Sequence, residues 1–281
     1  MEKLQAIVQK AGLARRKAIS LIQSGGVKVN SKVIIEPWYE VSAEDKVEFG
    51  GYIYKVSDII KADRKVYYLY NKPVDVLSSK SDTYGRKTIT DDIKGFVKEE
   101  VFNVGRLDYG TSGLIFLTND GELADLLMHP RYKIEKTYQA LIKGNPTGQE
   151  LSMLEKGVEI LIEEEPYKTA PAKIEKVLKK GENSEVTVTI TEGKKRQVRL
   201  MFRAINHNVI KLRRVKLGPW SIEDVPNPGD IKKLNWKDVQ KIKEDLKDRI
   251  REHGYRDWET DRKSTRLNSS HSGESRMPSS A

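Results

Sequence analysis

Residues 105–123, GRLDYGTSGLIFLTNDGEL, set one acid, Asp108, between an arginine turn and the apolar run Leu114-Ile115-Phe116-Leu117. A carboxylate there has two uses. It can close a local turn by bonding its own backbone, or it can act on a ligand as a nucleophile or a base. Thirty positions later Tyr138 stands in the strand-like segment KTYQALIKG. An aromatic face of this kind either fills a core or holds a planar base, with stacking worth about 1–3 kcal/mol per base. Further on, Arg196, Arg199 and Arg203 recur at helical spacing beside the stripe Val198, Met201, Phe202, Ile205. The stripe reads as a buried helix face and the arginines as a basic flank able to meet phosphates.

The charge balance points the same way. The 281 residues carry 51 Lys+Arg against 41 Asp+Glu, a net charge of +10, which favours a polyanionic partner. Two segments concentrate it. Lys10, Arg15, Arg16, Lys17, Lys28 and Lys32 follow one another with no acid between them. Lys194, Lys195, Arg196, Arg199, Arg203, Lys211, Arg213, Arg214 and Lys216 follow the single acid Glu192. Two separated basic segments suggest two contact surfaces on one partner. With no cysteine, disulfides, a thiol nucleophile and a cysteine metal site are excluded. No His/Asp/Glu group has metal-ligand spacing, so no metal is expected. No apolar stretch is long enough to span a bilayer and the first residues lack a signal-peptide core, so a cytoplasmic protein without membrane attachment is expected.

The elements that must position these residues fall into an N-terminal module and a larger body. In residues 1–60, Leu4, Ile7, Val8 and Ala11 give one helical face closed by Gly12, and a second helix runs from about Arg15 to Ser24. VKVNSKVI alternates around Asn30-Ser31 as a hairpin, and DKVEFG adds a strand. The body, 61–245, opens on the strand VYYLYNKP. It continues through the strand after Asp108, a helix with Asn119 and Glu122 as a capping-box start, the strands KTYQALIKG and EVTVTI, and the arginine-bearing helix. Strands and helices mix without regular βαβ units, so the class is α+β. Residues 246–281 read as a C-terminal extension, and the Ser/Arg-rich part from 256 as disordered and unrelated to the body.

Three sets of motifs carry a family resemblance. Ala14-Arg15-Arg16-Lys17-Ala18, Leu21-Ile22 and Gly26-Val27-Lys28-Val29-Asn30 resemble the S4 RNA-binding domain. That pattern usually has a serine where this chain has Ala14. GRLDYGTSGLIFLTNDGELADLLMHP, EKTYQA and TEGKKRQVRLMFRAINHNVIKLRRVKLG resemble, in order, the signatures of one family of ribosomal pseudouridine synthases. Its branches are synthase A, for the small ribosomal subunit, and synthases B, E and F, for the large one. KTAPAK and HPRYKIEKTY look closest to the synthase B branch.

The resemblance implies an S4 domain followed by a catalytic domain with a mixed, mainly antiparallel sheet flanked by helices. It also implies isomerisation of a uridine in ribosomal RNA, 23S first and 16S as the alternative, by a monomer acting on rRNA or a pre-ribosomal particle, and a reaction of that kind, which exchanges no electrons, calls for no cofactor. It assigns Asp108 as the catalytic carboxylate, with nucleophile at the sugar and base toward the 2′ proton both open. Tyr138 would stack on the target base and Arg199 would ion-pair with Asp108, through a planar fork suited to a carboxylate. Arg106, Lys136, Arg196, Gln197 and Leu200 are expected to contact substrate, and Arg15, Arg16, Lys17 and Lys28 to bind RNA through the S4 module. Gly110 and Leu200 depart from an aspartate and an arginine common in the family. The further alternative is a non-catalytic RNA-binding ribosome-assembly factor that kept the fold; loss of activity normally shows as substitution at Asp108, Tyr138 or Arg199, and all three are present. A glycoside hydrolase would need two placed carboxylates, and a nuclease a cluster of metal-binding acids.

Overall fold

The computed structural model describes residues 1–62, 65–248 and 251, and the chain divides into two compact units, Met1–Lys65 and Val66–Ala281. In the first, a short strand β1 (Glu2–Lys3) leads into helices α1 (Leu4–Lys10) and α2 (Arg15–Gln23). The predicted face is the buried one, with Leu4, Ile7 and Val8 fully enclosed among Ala18, Ile22, Val27 and Val47. Helix α2 starts without a side-chain cap at Ala14, as the missing serine predicts. Strands β2 (Lys28–Val29) and β3 (Lys32–Val33) form the expected hairpin. Asn30 and Ser31 both have left-handed backbones, φ 49° and 69°, as a tight primed turn requires. The Asn30 amide donates to Asp45 and its carbonyl accepts the Lys46 N–H at 2.9 Å, tying the turn to the next strand. β4 (Glu40–Val41) pairs with β1, while β5 (Lys46–Phe49) and β6 (Tyr52–Lys55) complete a sheet of order β3-β2-β5-β6, followed by α3 (Val56–Ala62). Arg15, Arg16, Lys17 and Lys28 are all exposed on this unit.

The second unit is a mixed sheet with helices packed on it. Its first half contains β7 (Tyr67–Lys72), α4 (Ile89–Ile93), β8 (Phe102–Val104), β9 (Thr111–Thr118), α5 (Gly121–Met128) and β10 (Lys136–Lys143). Helix α6 (Gly148–Lys156) and the hairpin β11 (Glu159–Ile162) and β12 (Glu165–Lys168) precede β13 (Lys173–Lys180) and β14 (Asn183–Ile190). Helix α7 (Gln197–Ala204), β15 (Val209–Leu217), β16 (Trp220–Ser221) and β17 (Ile231–Lys233) follow, and a last helix, α8, runs over 236–248. The strand order is β13-β14-β10-β15-β9-β7-β17, with β8 on β9 and β16 on β15. Among the described strands only the β9–β15 pair is parallel, so the sheet is mixed and mainly antiparallel as expected.

Strand β9 shows how the sheet divides its two sides. Ile115 and Leu117 enter one core with Tyr138, Val186, Val188, Val198, Met201 and Phe202, so α7 covers that face. Leu114 and Phe116 enter another with Leu123, Leu127, Trp220, Val239 and Leu246, so α5 and α8 cover the opposite face. A strand buried on both faces must be apolar throughout, which explains the unbroken run. The residue that caps α5 is Asp120, not Asn119. Its carboxylate accepts the Glu122 and Leu123 N–H groups at 3.1 and 3.3 Å, whereas the Asn119 carbonyl is taken by the Val66 N–H at 2.9 Å. Helix α8 continues past residue 245 and buries Leu246 in the same core. The Ser/Arg-rich tail expected to be disordered lies outside the described residues.

Candidate active site

Asp108 lies on the loop between β8 and β9, and nearly every neighbour on that loop is tied down. The Ser78 hydroxyl donates to the Leu107 carbonyl at 2.7 Å and accepts its N–H at 3.1 Å. The Asp108 carbonyl accepts the Thr111 N–H at 2.9 Å, and the Tyr109 carbonyl accepts the Asp75 N–H at 3.0 Å. From α7, the Arg199 guanidinium donates to the Gly110 carbonyl at 2.8 Å and reaches the Thr111 hydroxyl at 3.4 Å. The Asp108 side chain itself stays 38% exposed, with the Arg196 guanidinium 3.9 Å away. That is a rigid loop carrying an open carboxylate, which is how a reacting group has to be held.

The arginines share the work differently from the family expectation. Arg199 holds the loop's backbone, and Arg196 stands closest to the carboxylate. The reason is local. Arg196 is the N-cap of α7 with a left-handed backbone, φ 54°, a conformation costing on the order of 1–3 kcal/mol for a residue with a side chain. Arg199, one turn into the helix, also donates to the Val209 carbonyl at 3.2 Å. Burial lowers the pKa of the Arg199 guanidinium from its ordinary value, with Arg196 adding to this and the Asp108 carboxylate opposing it.

Tyr138 joins the site through packing. It belongs to the same core as Leu107, Val198 and Met201, so the residue before Asp108, the helix bearing Arg199 and the stacking candidate meet on one face of the sheet. Lys136, two positions earlier on β10, donates to the Ile134 carbonyl at 3.0 Å. Burial pulls its ammonium down to about 8, helped by Arg214 and opposed by Glu192. Arg106 is exposed on the loop. Gln197 and Leu200 are turned inward. The Gln197 carbonyl accepts the Lys194 N–H at 2.9 Å and its amide donates to Glu192, while Leu200 packs on the core. Both therefore shape the start of α7 instead of presenting themselves to a ligand.

Two residues under the loop have functional positions that sequence reasoning misses. Lys72, fully buried at the end of β7, donates to the Pro73 and Val76 carbonyls at 2.7 Å each. It fastens the segment whose Asp75 N–H holds Tyr109. Burial pulls its ammonium down to about 8, against the opposing pull of Asp75, Asp108 and Asp92. The other is Ser78, which brackets Leu107. A lysine closing an apolar strand, as in VYYLYNKP, is the available signal for the first. Nothing in the sequence distinguishes Ser78 from its neighbour Ser79.

What this sheet presents on its β8–β9 loop is a half-exposed carboxylate, Asp108, with Arg196 3.9 Å from it and Arg199 gripping the loop's backbone. A family model described as RNA pseudouridylate synthase matches residues 66–204, and that of the S4 domain matches residues 2–47. The chain belongs to the RNA pseudouridine synthases, enzymes that isomerise uridine to pseudouridine in RNA. It is 43% identical to the ribosomal large subunit pseudouridine synthase B of Bacillus subtilis (strain 168), over 86% of this chain and 96% of that protein. It is 32% identical to the protein of the same name from Salmonella typhi, over 85% and 79% respectively. A crystal structure of a pseudouridylate synthase superposes with a TM-score of 0.58 at 27% identity, covering 85% of this chain and 99% of that one.

Proposed function

We propose that the protein converts a specific uridine of large-subunit ribosomal RNA to pseudouridine, acting as a monomer in the cytoplasm, with Asp108 as the catalytic carboxylate. The observation that carries this reading is the contrast at Asp108: its loop is bonded at Leu107, Tyr109, Gly110 and Thr111, while its side chain is left half-open beside Arg196. The large-subunit target is supported by the names of the Bacillus and Salmonella relatives.

The reaction breaks the N1–C1′ bond, turns the uracil and joins C5 to C1′; the C5 proton is lost and N1 gains one. No electron or water is consumed. Asp108 serves either as nucleophile at C1′ or as base toward the 2′ proton, and Tyr138 supplies the face on which the flipped base rests. Arg199 acts as a positioning residue through Gly110 and Thr111. The exposed Arg196 and Arg106, together with Arg15, Arg16, Lys17 and Lys28 of the S4 unit, meet phosphates.

The test is to incubate the purified protein with unmodified large- and small-subunit rRNA and map pseudouridine by chemical labelling and primer extension. One new stop in the large-subunit RNA is expected. Modification of the small-subunit RNA alone would overturn the assignment.

A further inference from the structure

Two buried guanidinium nitrogens have no hydrogen-bond partner among the described residues, Arg199 Nε and Arg214 Nη2. The second belongs to a side chain that none of the roles above uses. Arg214 is only 3% exposed. Its Nε donates to the Leu114 carbonyl at 2.8 Å, which fixes the guanidinium plane against β9. On that strand Gly113 lies in register with it, and a Cβ at Gly113 would fall 2.2 Å from the Arg214 carbonyl oxygen, so no side chain fits between the two backbones there. On the other side Tyr138 is its direct cross-strand partner on β10. Directly paired residues share a face of a sheet, so Arg214 stands beside the residue read as the platform for the target base. Lys136 is a second cation close enough to feel Arg214.

A buried N–H without an acceptor is costly, so one kept in a native fold calls for a reason, and an acceptor brought by a ligand is one. A backbone phosphate is a poor candidate, because its charge would have to leave water to reach a nearly enclosed nitrogen. Phosphates are better met by the exposed arginines, as proposed above. A ring carbonyl is neutral, arrives with a planar base and accepts along its own plane.

We propose that Arg214 Nη2 donates a hydrogen bond to a ring carbonyl oxygen of the flipped uracil and is a specificity residue of the site. This rests on the reading of Asp108 and Tyr138 as the reaction centre. The geometry suits the reaction in one further respect. Half a turn of uracil about its N3–C6 axis exchanges N1 with C5 and, with them, O2 with O4. A donor fixed on the sheet therefore meets a carbonyl oxygen in both orientations. It can hold the ring before and after it turns. Cytosine presents an amine in place of O4 and loses the bond in one of them.

The experiment uses the full-length protein and large-subunit rRNA fragments carrying uridine, 2-thiouridine or 4-thiouridine at the mapped position. Products are followed by nuclease digestion and chromatography of the nucleosides. Wild type is expected to prefer uridine to at least one thio analogue in kcat/KM, since sulfur is the weaker acceptor. In Arg214→Gln and Arg214→Lys, kcat/KM for uridine is expected to fall about ten- to a hundredfold, the range for losing a hydrogen bond to a charged group. The preference over that analogue should shrink to within about twofold. Arg214→Lys keeps the charge and serves if the glutamine variant does not fold. A merely structural arginine would lower all substrates alike. An equal loss on all three RNAs, or no wild-type preference at all, overturns the proposal. Wild type inactive on the uridine fragment, or Asp108→Asn active on it, would sink the underlying site assignment instead.

Discussion

Strand β9 has an aspartate beyond each end, and the two live in opposite surroundings. Asp108 precedes the strand with its side chain 38% exposed, facing Arg196 at 3.9 Å. Asp120 follows it with its side chain 4% exposed. The Lys243 ammonium donates to it at 2.9 Å, the Tyr67 hydroxyl at 3.0 Å and the Glu122 N–H at 3.1 Å. The oxygens of Asp120 are committed to the fold, tying α5 to α8. At Asp108 the bonds are made by the surrounding backbone and the carboxylate is left open. On the proposed reading of Asp108, the structural acid is the one whose own oxygens are saturated and the reacting acid the one whose surroundings are.

The largest expected effect breaks this contrast at its open end. Asp108→Asn keeps the shape and leaves the loop's bonds in place, so it should cost at least about a thousandfold in turnover. The melting temperature should stay within experimental scatter, because an exposed polar swap is worth about 0.5 kcal/mol or less. Tritium release from [5-³H]uridine-labelled rRNA and a thermal melt measure the two. Activity within tenfold of wild type would remove Asp108 from the chemistry.

At the closed end the pattern should invert. Lys243→Met leaves Asp120 buried without its cation, a loss of about 3–5 kcal/mol, with turnover at low temperature nearly unchanged. The pH dependence has a definite sign. Burial pushes the Asp120 carboxyl up, but Lys243, the Leu123 N–H and Tyr67 together hold it below its ordinary 3.8. Its contribution is thus full above that value and lost as the pH falls through the lowered one. Burial pulls Lys243 down, yet Glu122 and Asp120 raise it above 10.5, so its share holds below that pH and is lost as the pH rises through the raised value. Denaturant unfolding should show a gap between wild type and variant that is flat near neutrality and narrows in acid, because Asp120 without its cation takes up a proton at a higher pH than in wild type and, once protonated, no longer needs one. A gap independent of pH in acid would mean that the pair is not what stabilises this end.

How much is legible in the sequence differs between the two aspartates. The apolar run Leu114–Leu117 after Asp108, the alternation in EVTVTI and the stripe Val198, Met201, Phe202, Ile205 are local patterns, and each is buried as the pattern predicts. What fails depends on contacts distant in sequence. Asn119 looks like the cap of α5, but the Val66 N–H, 53 residues away, claims its side chain. Helix α8 presents to the core a sparse stripe, Val239, Ile242 and Leu246 at i, i+3 and i+7, which is easily passed over in so charged a segment. Lys243, which completes the Asp120 cluster, looks like any surface lysine. Arg199 is expected on the carboxylate and holds the loop's backbone instead. The difference is a few ångströms of helix phase that spacing alone does not resolve.

Arg199 then gives the third, intermediate effect. Arg199→Ala removes the donors to Gly110, Thr111 and Val209 while leaving Asp108 and Arg196 in place. The loop should loosen and kcat should drop about ten- to a hundredfold, with KM changed less, because misplacement of a reacting group acts on the chemical step. Arg196→Ala should show the reverse split, chiefly raising KM, and should flatten the salt dependence of RNA binding by about one unit of log–log slope. Equal effects of the two variants on kcat would mean that both arginines act on Asp108 directly.

The smallest effect probes whether the open end tolerates a second acid. Gly110 is exposed, its backbone lies outside the left-handed region, and a Cβ there would meet nothing within 4 Å. Gly110→Asp should therefore fold with a stability change of about 0.5 kcal/mol or less. The new carboxylate stands beside Arg196 and Arg199, where RNA phosphates are expected to arrive. KM should rise a few-fold at low salt, and the difference should vanish as the ionic strength brings the Debye length to roughly 3 Å near 1 M. Turnover at saturating RNA should hold within about twofold, since the carbonyl that Arg199 grips is unchanged by a side chain at that position. A tenfold fall in kcat would say that the carboxylate of Asp108 is as tightly committed to its neighbours as that of Asp120, and the distinction between the two ends of β9 would fail.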